Sequence, residues 1–154
     1  MHIRCYEASD LDTIITVFTQ SVHQLTGEHY TDAQRNAWAP RAANREKWAA
    51  RMEGLNTLVA DGNDGIAGFL AYEMNGYIDL LYVSPRYARG GVASALYREV
   101  ESALVSTGLK ELFTEASAVA RPFFEKQGFK FEAEQTVNRR GVGFNRFAMR
   151  KIII

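Results

Sequence analysis

The chain has 154 residues, a length typical of one domain that buries a core without disulfides or metals, and we expect residues 1–154 to form a single domain. Its 18 lysines and arginines equal its 18 aspartates and glutamates, so no overall charge favours nucleic acid or an anionic membrane. A single cysteine, Cys5, excludes an internal disulfide, and no Cys/His cluster indicates a structural metal site. Without a signal peptide or an apolar run of about 20 residues, a cytoplasmic location is expected.

The first part of the chain predicts one strand and three helices. The strand covers His2–Tyr6, and a helix follows because apolar residues recur there at helical spacing. Thr31 and Gln34 form a capping-box pattern that starts a second helix. Pro40 stops that helix, and a third short helix is expected over Asn44–Met52. The apolar positions of the first helix are Leu11, Ile14, Ile15, Phe18, Val22 and Leu25.

The middle and end of the chain predict six strands and two helices. Three strands are expected over Thr57–Ala60, Ile66–Met74 and Tyr77–Val83, with the turn dipeptide Asn75-Gly76 between the last two. An amphipathic helix then runs from Gly91 to Gly108. The remaining elements are a strand at Glu111–Thr114, a short helix ending near Gln127, and a strand pair at Phe131–Val137 and Val142–Lys151. This order predicts an α/β (α+β) fold with a mixed central sheet of about seven strands flanked by helices.

The loop between Val83 and the long helix predicts an anion site. The first amides of a helix have no intrahelical partner, and the helix dipole adds positive charge there. Gly90 and Gly91 let the backbone approach a ligand, and Arg89 can bind a phosphate through a charge-assisted contact. The loop lacks the Lys-Ser/Thr end of a Walker loop and the spacing of a dinucleotide fingerprint. A glycine-rich turn that merely connects strand and helix is the simpler alternative.

The loop Ala88-Arg89-Gly90-Gly91-Val92-Ala93 resembles the pyrophosphate loop of the GNAT superfamily of acyl-CoA-dependent N-acetyltransferases, as in small bacterial members. The family pattern is roughly Gln/Arg-x-x-Gly-x-Gly/Ala, and Ala88 departs from its first position. Arg89, beside it, is a candidate to supply the missing charge.

A second segment, Ser117 to Phe129, is similar to the later family pattern Asn-x-x-Ala-x-x-Phe-Tyr-Glu-Lys-x-Gly-Phe. Ser117 stands in the asparagine position and Phe124 in the tyrosine position. The matching residues are Ala120, Phe123, Glu125, Lys126, Gly128 and Phe129. With the element order, the resemblance covers essentially the whole chain.

The resemblance implies a V-shaped cleft between the fourth and fifth strands that takes acetyl-CoA as co-substrate, with no metal. The pyrophosphate is then held by Arg89, Gly90, Gly91, Val92, Ala93 and Ser94. The pantetheine pairs with the backbone around Leu81, Tyr82 and Val83 like an added strand. Phe123 and Phe124 are the remaining candidates for cofactor contact.

Acyl transfer to an amine needs a neutral amine, a stabilised oxyanion and a leaving thiolate. Asp79 is the candidate base, because strand alternation places Asp79, Leu81 and Val83 on one face. The alternative for Asp79 is a solvated acid at the strand end or an acid paired with a neighbouring arginine, and Glu73 is a competing base.

Phe124 has no proton to give to the leaving thiolate. A thiol with a pKa of about 8.5 can leave unassisted. Alternatively, Tyr30, Tyr82 or Ser117 supplies a hydroxyl.

The acceptor pocket is expected near Glu28-His29-Tyr30 and Trp38. His29 and Tyr30 are candidates to orient an amine, although Tyr30 and Trp38 fit a core position equally well. Arg139 and Arg140 belong to a predicted hairpin turn that is simply solvated or that attracts an anionic acceptor.

The sequence therefore predicts an enzyme that moves an acetyl group from acetyl-CoA to a primary amine, by direct attack in a ternary complex. The acceptor is expected to be a small molecule or a peptide, with no nucleic acid or membrane partner and a possible homodimer. A non-catalytic acyl-CoA sensor on the same fold is the alternative, favoured by Phe124 and Ala88.

Overall fold

A computed structural model describes residues 1–154 and shows seven strands and five α-helices. The strands are β1 His2–Cys5, β2 Asn56–Gly62, β3 Gly65–Tyr72, β4 Tyr77–Val83, β5 Glu111–Ala116, β6 Lys130–Arg139 and β7 Val142–Ile152. The helices are α1 Leu11–Leu25, α2 Asp32–Trp38, α3 Arg45–Glu53, α4 Val92–Val105 and α5 Arg121–Lys126.

The seven strands form one open sheet in the order β1-β2-β3-β4-β5-β7-β6. Every neighbouring pair is antiparallel except β4 and β5, which are parallel. Parallel neighbours need a crossover connection, and α4 supplies it. The predicted α/β fold class, its mixed seven-stranded sheet and the order of its elements are confirmed.

Each face of the sheet carries its own apolar core. The front core joins α1 and α3 to residues of β2, β3 and β4, among them Val59, Phe69 and Leu80. The rear core joins α4 and α5 to the opposite face, where Leu70 and Leu112 are fully buried. Burial on both faces explains why β3 reads as an almost continuous apolar run.

The sheet splits between β4 and β5. Only Tyr77 and Ile78 of β4 pair with β5, opposite Phe113 and Thr114. The Thr114 hydroxyl donates to the Ile78 carbonyl at 2.9 Å. Beyond that bond the two strands have no shared pairs, so a gap opens toward their carboxyl ends.

A bulge in β4 overturns one expectation. Ala71 of β3 pairs with Leu80 of β4, and the next residue, Tyr72, pairs with Ile78, so Asp79 has no partner of its own. Leu81 and Val83 contact the rear core, whereas Asp79 pairs with Arg51 of α3 on the front side. The prediction that alternation places Asp79 on the face of Leu81 and Val83 is therefore wrong, because the bulge interrupts the two-residue period.

Local signals in the sequence set several element ends. Thr31 caps α2 by accepting from the Gln34 amide, and the Gln34 side chain accepts from the Thr31 amide, as the capping box predicts. β3 ends at Tyr72 rather than Met74, because the hairpin around Gly76 already turns there. β5 continues past its expected end at Thr114 to Ala116. None of the helices is both long enough and apolar enough to cross a membrane.

Candidate active site

The amino end of α4 presents a row of unpaired main-chain donors. The first bond of the helix joins the Ala95 amide to the Gly91 carbonyl at 3.0 Å. The amides of residues 91–94 precede that bond and have no backbone acceptor. Consecutive free amides at the positive end of a helix dipole are suited to bind a phosphate.

The loop that leads into α4 has the conformation that the sequence predicts for close backbone approach. Gly91 has a φ of +83°, and a β-carbon built there meets no other heavy atom within 4 Å. Arg89 also adopts a positive φ of +62°, which is uncommon for a residue with a side chain. Arg89, Gly90 and Gly91 are all exposed. The exposed arginine and the free amides are therefore neighbours along the chain, an arrangement suited to an anionic ligand.

The free edge of β4 lies along the gap in the sheet. The Ser84 amide bonds the Ala67 carbonyl of β3 at 2.8 Å. Because backbone groups alternate in direction along a strand, Tyr82 also pairs with β3, and the polar groups of Leu81 and Val83 face the gap. An extended ligand can pair with Leu81 and Val83 there, whereas the backbone of Tyr82 is already used.

A cavity of about 500 Å³ opens at the split. It is bounded by α1, the segment from Tyr30 to Arg51, β4, β5 with the residues that follow it, and the β6–β7 hairpin. No residue of the loop 88–94 lines it. The loop therefore lies beyond the carboxyl end of β4, and the exposed edge of β4 connects the loop to the cavity.

Asp79 lies in this cavity and forms an ion pair. Its Oδ1 accepts from Nη2 of Arg51 at 2.9 Å, and the Asp79 side chain is 18% exposed. The guanidinium of Arg51 also lies over the Trp48 ring at 6.0 Å from its centroid. The competing acid Glu73 is exposed in the β3–β4 turn and does not line the cavity.

A second carboxylate in the cavity, Glu115, does not appear among the candidates from the sequence. Its Oε1 accepts from the Tyr77 hydroxyl at 2.8 Å, and its Oε2 forms an ion pair with Nη2 of Arg146 at 2.9 Å. Burial, together with the bond to Glu115, raises the pKa of Tyr77 well above its ordinary value. Burial alternates along β5, so Glu115 lies on the face opposite the buried Leu112 and Thr114. The same alternation predicts this position from the sequence only when the strand is extended beyond Thr114.

Two tyrosines join the front helices to the cavity. The Tyr82 hydroxyl accepts from the Trp38 indole N–H at 3.2 Å, and burial raises the pKa of Tyr82. The Tyr30 hydroxyl accepts from the Ala118 amide at 2.9 Å, and its ring is almost fully buried against Trp38. Tyr30 is thus both a core residue and a cavity wall, whereas His29 is exposed and lies outside the cavity.

The segment after β5 forms the wall beneath the gap. Ser117 lines the cavity, and its hydroxyl accepts from the Ala120 amide at 3.1 Å. Phe124 also reaches the cavity but is 2% exposed and packs edge-on against Phe123 and Phe129. Phe123 packs toward Tyr97 and does not line the cavity.

Comparisons with known proteins agree with this arrangement. The family model of the acetyltransferase (GNAT) domain matches residues 26–151. An N-acetyltransferase of Escherichia coli strain K12, YafP, is 35% identical over 150 residues, which cover 97% of this chain and 95% of that protein.

Solved structures extend the likeness to the fold. A GCN5-related N-acetyltransferase from Rhodopseudomonas palustris is 32% identical with a TM-score of 0.94, over 99% of this chain and 95% of that one. The PaiA N-acetyltransferase of Thermoplasma acidophilum, solved in complex with coenzyme A, is 23% identical with a TM-score of 0.75, over 99% of this chain and 100% of that one.

The chain therefore belongs to the GNAT acetyltransferase family. It is an acyl-CoA-dependent acetyltransferase, and the expected family resemblance is confirmed.

Proposed function

We propose that this protein transfers an acetyl group from acetyl-CoA to a primary amine by direct attack in a ternary complex. The observation that carries the proposal is the row of free amides at residues 91–94 beside an exposed arginine, Arg89. These groups would hold the pyrophosphate of the donor through charge-assisted hydrogen bonds.

The free edge of β4 supports the placement of the rest of the donor. Leu81 and Val83 offer the amides and carbonyls that an extended pantetheine arm needs, in the manner of an added strand. This edge leads from the phosphate loop to the cavity. The thioester would then lie near Ala116, Ser117 and Phe124, with the acceptor entering from the front helices.

Asp79 is the proposed base. The amine nitrogen attacks the thioester carbonyl carbon, the carbon–sulfur bond breaks, and the proton lost by the amine passes to Asp79 directly or through one water. Arg51 fixes the orientation of the carboxylate at 2.9 Å. Glu115 is less free to act, because one of its oxygens already accepts a hydrogen bond from Tyr77 and the other is paired with Arg146.

The leaving thiolate needs no acid from α5. A thiolate whose conjugate acid has a pKa of about 8.5 is a tolerable leaving group near neutral pH. Burial raises the pKa of Tyr82, so its hydroxyl stays protonated and is a proposed donor to the sulfur. Tyr30 and Ser117 are the other proposed hydroxyls, and each already accepts a backbone amide.

Direct attack is favoured over a covalent relay because Cys5, the only cysteine, lies on the edge strand β1 and not in the cavity. Ping-pong kinetics would contradict this order of events, and intersecting lines in a two-substrate analysis would support it.

The test is thiol release from acetyl-CoA in the presence of a broad set of amines, with mass spectrometry of the N-acetyl product. Turnover that needs both substrates supports the proposal. Tight coenzyme A binding without turnover of any amine would favour the sensor alternative. Phe124 is consistent with that alternative because its side chain has no proton to donate.

A further inference from the structure

The cavity carries an excess of positive charge. Its basic side chains are those of Lys47, Arg51, Arg139, Arg140 and Arg146, and its acidic ones are those of Asp79 and Glu115. Each carboxylate is matched by one arginine, through the Arg51–Asp79 and Arg146–Glu115 pairs. Lys47, Arg139 and Arg140 are left without a carboxylate partner.

Arg139 and Arg140 are exposed, and each also contacts the protein beside the cavity. The Arg140 guanidinium donates to the Ala37 carbonyl at the end of α2 at 2.6 Å, and Arg140 has a φ of +49°. The Arg139 guanidinium lies over the Phe144 ring at 5.7 Å from its centroid. Arg139 is also close enough to act on Tyr82, whose pKa is raised by burial and lowered in part by the Arg139 charge.

The rest of the front wall is apolar and aromatic. Phe18, Pro40 and Trp48 line the cavity together with Tyr30, Trp38 and Phe144. An acceptor that fits this wall needs an apolar framework. One that also neutralises the charges of Lys47 and the hairpin arginines needs an anionic group.

The donor does not account for these charges. Its phosphates fit the free amides at α4, beyond the carboxyl end of β4. Lys47 belongs to α3, Arg139 is the last residue of β6, and Arg140 lies in the β6–β7 turn. None of the three is part of the phosphate loop.

We infer that the acceptor is a small primary amine that also carries a carboxylate or phosphoryl group on an aromatic or aliphatic framework, bound by Arg139, Arg140 and Lys47. This inference rests on the proposed transfer to an amine.

The experiment compares amines that differ only in the charged group. Three pairs are assayed with acetyl-CoA: phenylalanine and phenylalaninamide, leucine and leucinamide, and 4-(aminomethyl)benzoate and its amide. Phenethylamine gives the same framework without the carboxylate or amide group. 1-Amino-2-phenylethylphosphonate distinguishes a phosphoryl preference from a carboxylate preference. The expected result is at least a tenfold higher kcat/KM for the anion of at least one pair.

Variants then assign the preference to the cavity. Arg139→Gln and Lys47→Gln should each lower the acid-to-amide ratio of kcat/KM by about tenfold, and Arg139→Glu should reverse it. The matched control is Arg98→Gln, which removes an exposed arginine of α4 outside the cavity and should leave the ratio unchanged.

Binding gives a readout that does not depend on turnover. Calorimetry on the full chain saturated with coenzyme A should show 3-phenylpropionate binding at least tenfold more tightly than 3-phenylpropanamide, with the difference lost in Arg139→Gln. Equal binding of the two, or amides and plain amines preferred in every pair while turnover persists, would overturn the inference and leave the transferase standing. No turnover of any amine would overturn both.

Discussion

Two glycines at opposite ends of α4 allow the phosphate loop to be tested against a matched control. Gly91 has a φ of +83° and Gly108 a φ of +85°, and a β-carbon at either one meets no heavy atom within 4 Å. Alanine at either position therefore costs only the strain of a left-handed conformation, about 1–2 kcal/mol. For a chain of this size each kcal/mol lowers Tm by about 2–4 °C, so both variants should melt about 2–8 °C lower.

Only Gly91 borders the free amides, so only Gly91→Ala should weaken donor binding. Its new methyl group would occupy the open space through which a phosphate reaches the amides of residues 91–94. Loss of one charge-assisted hydrogen bond is worth about 1.5–3 kcal/mol. The Kd for coenzyme A should then rise about tenfold to a hundredfold.

Calorimetric titration of coenzyme A into the wild type and both variants measures the difference, well below the melting temperature of each. Gly108→Ala should bind within about twofold of the wild type, since its substitution is remote from the loop. An unchanged Kd in Gly91→Ala, or the same loss in both variants, would refute the assignment of the phosphates to this loop.

Three further predictions concern charge and hydrogen bonding. Asp79→Asn should lower kcat by about a hundredfold, the range of general base catalysis, whereas Asp64→Asn, which breaks an exposed arginine pair outside the cavity, should leave kcat unchanged. Hydrogen bonds from Arg4 hold the pKa of Asp10 below its ordinary value, so their stabilisation is complete above a pH of about 5 and is lost as the pH falls through the folded pKa. In urea unfolding, Asp10→Asn should be less stable at pH 7 and should lose less stability than the wild type on acidification. Tyr30→Phe should lose about 1 kcal/mol of unfolding free energy, because a partly buried backbone amide loses its acceptor.

Each of these predictions has its own contrary outcome. Unaltered kcat in Asp79→Asn would remove that carboxylate from the reaction. Parallel pH–stability curves for Asp10→Asn and the wild type would mean that the Arg4 pair contributes nothing at neutral pH. A fully stable Tyr30→Phe with greatly reduced kcat would make Tyr30 a reacting group rather than a structural one.

The sequence was sufficient for features that depend on neighbouring residues. The capping box at Thr31 and Gln34, the turn at Gly76 and the strand Tyr77–Val83 follow from patterns a few residues long. The conformation of Gly91 follows from the same kind of local signal. Such features predicted the element order and the phosphate loop.

The cavity depended on contacts that no local pattern contains. The bulge at Asp79 adds one residue to β4 without any change in apolar content. Alternation along the sequence therefore predicts the wrong face for Asp79. Arg51 and Arg146 come from α3 and β7, far from the strands whose acids they pair with. The local sequence predicts a turn at the hairpin arginines, but the contact of Arg140 with α2 depends on the docking of the whole β6–β7 pair.

The separation of β4 from β5 has a further consequence for selectivity. An uncovered strand edge on the outside of a protein invites another chain to join it. Here the uncovered edge is recessed within the molecule, and the bond from Thr114 to Ile78 closes the gap at its inner end. The recessed position keeps this edge away from the sheet edge of another folded protein, while a single extended chain can still lie along it.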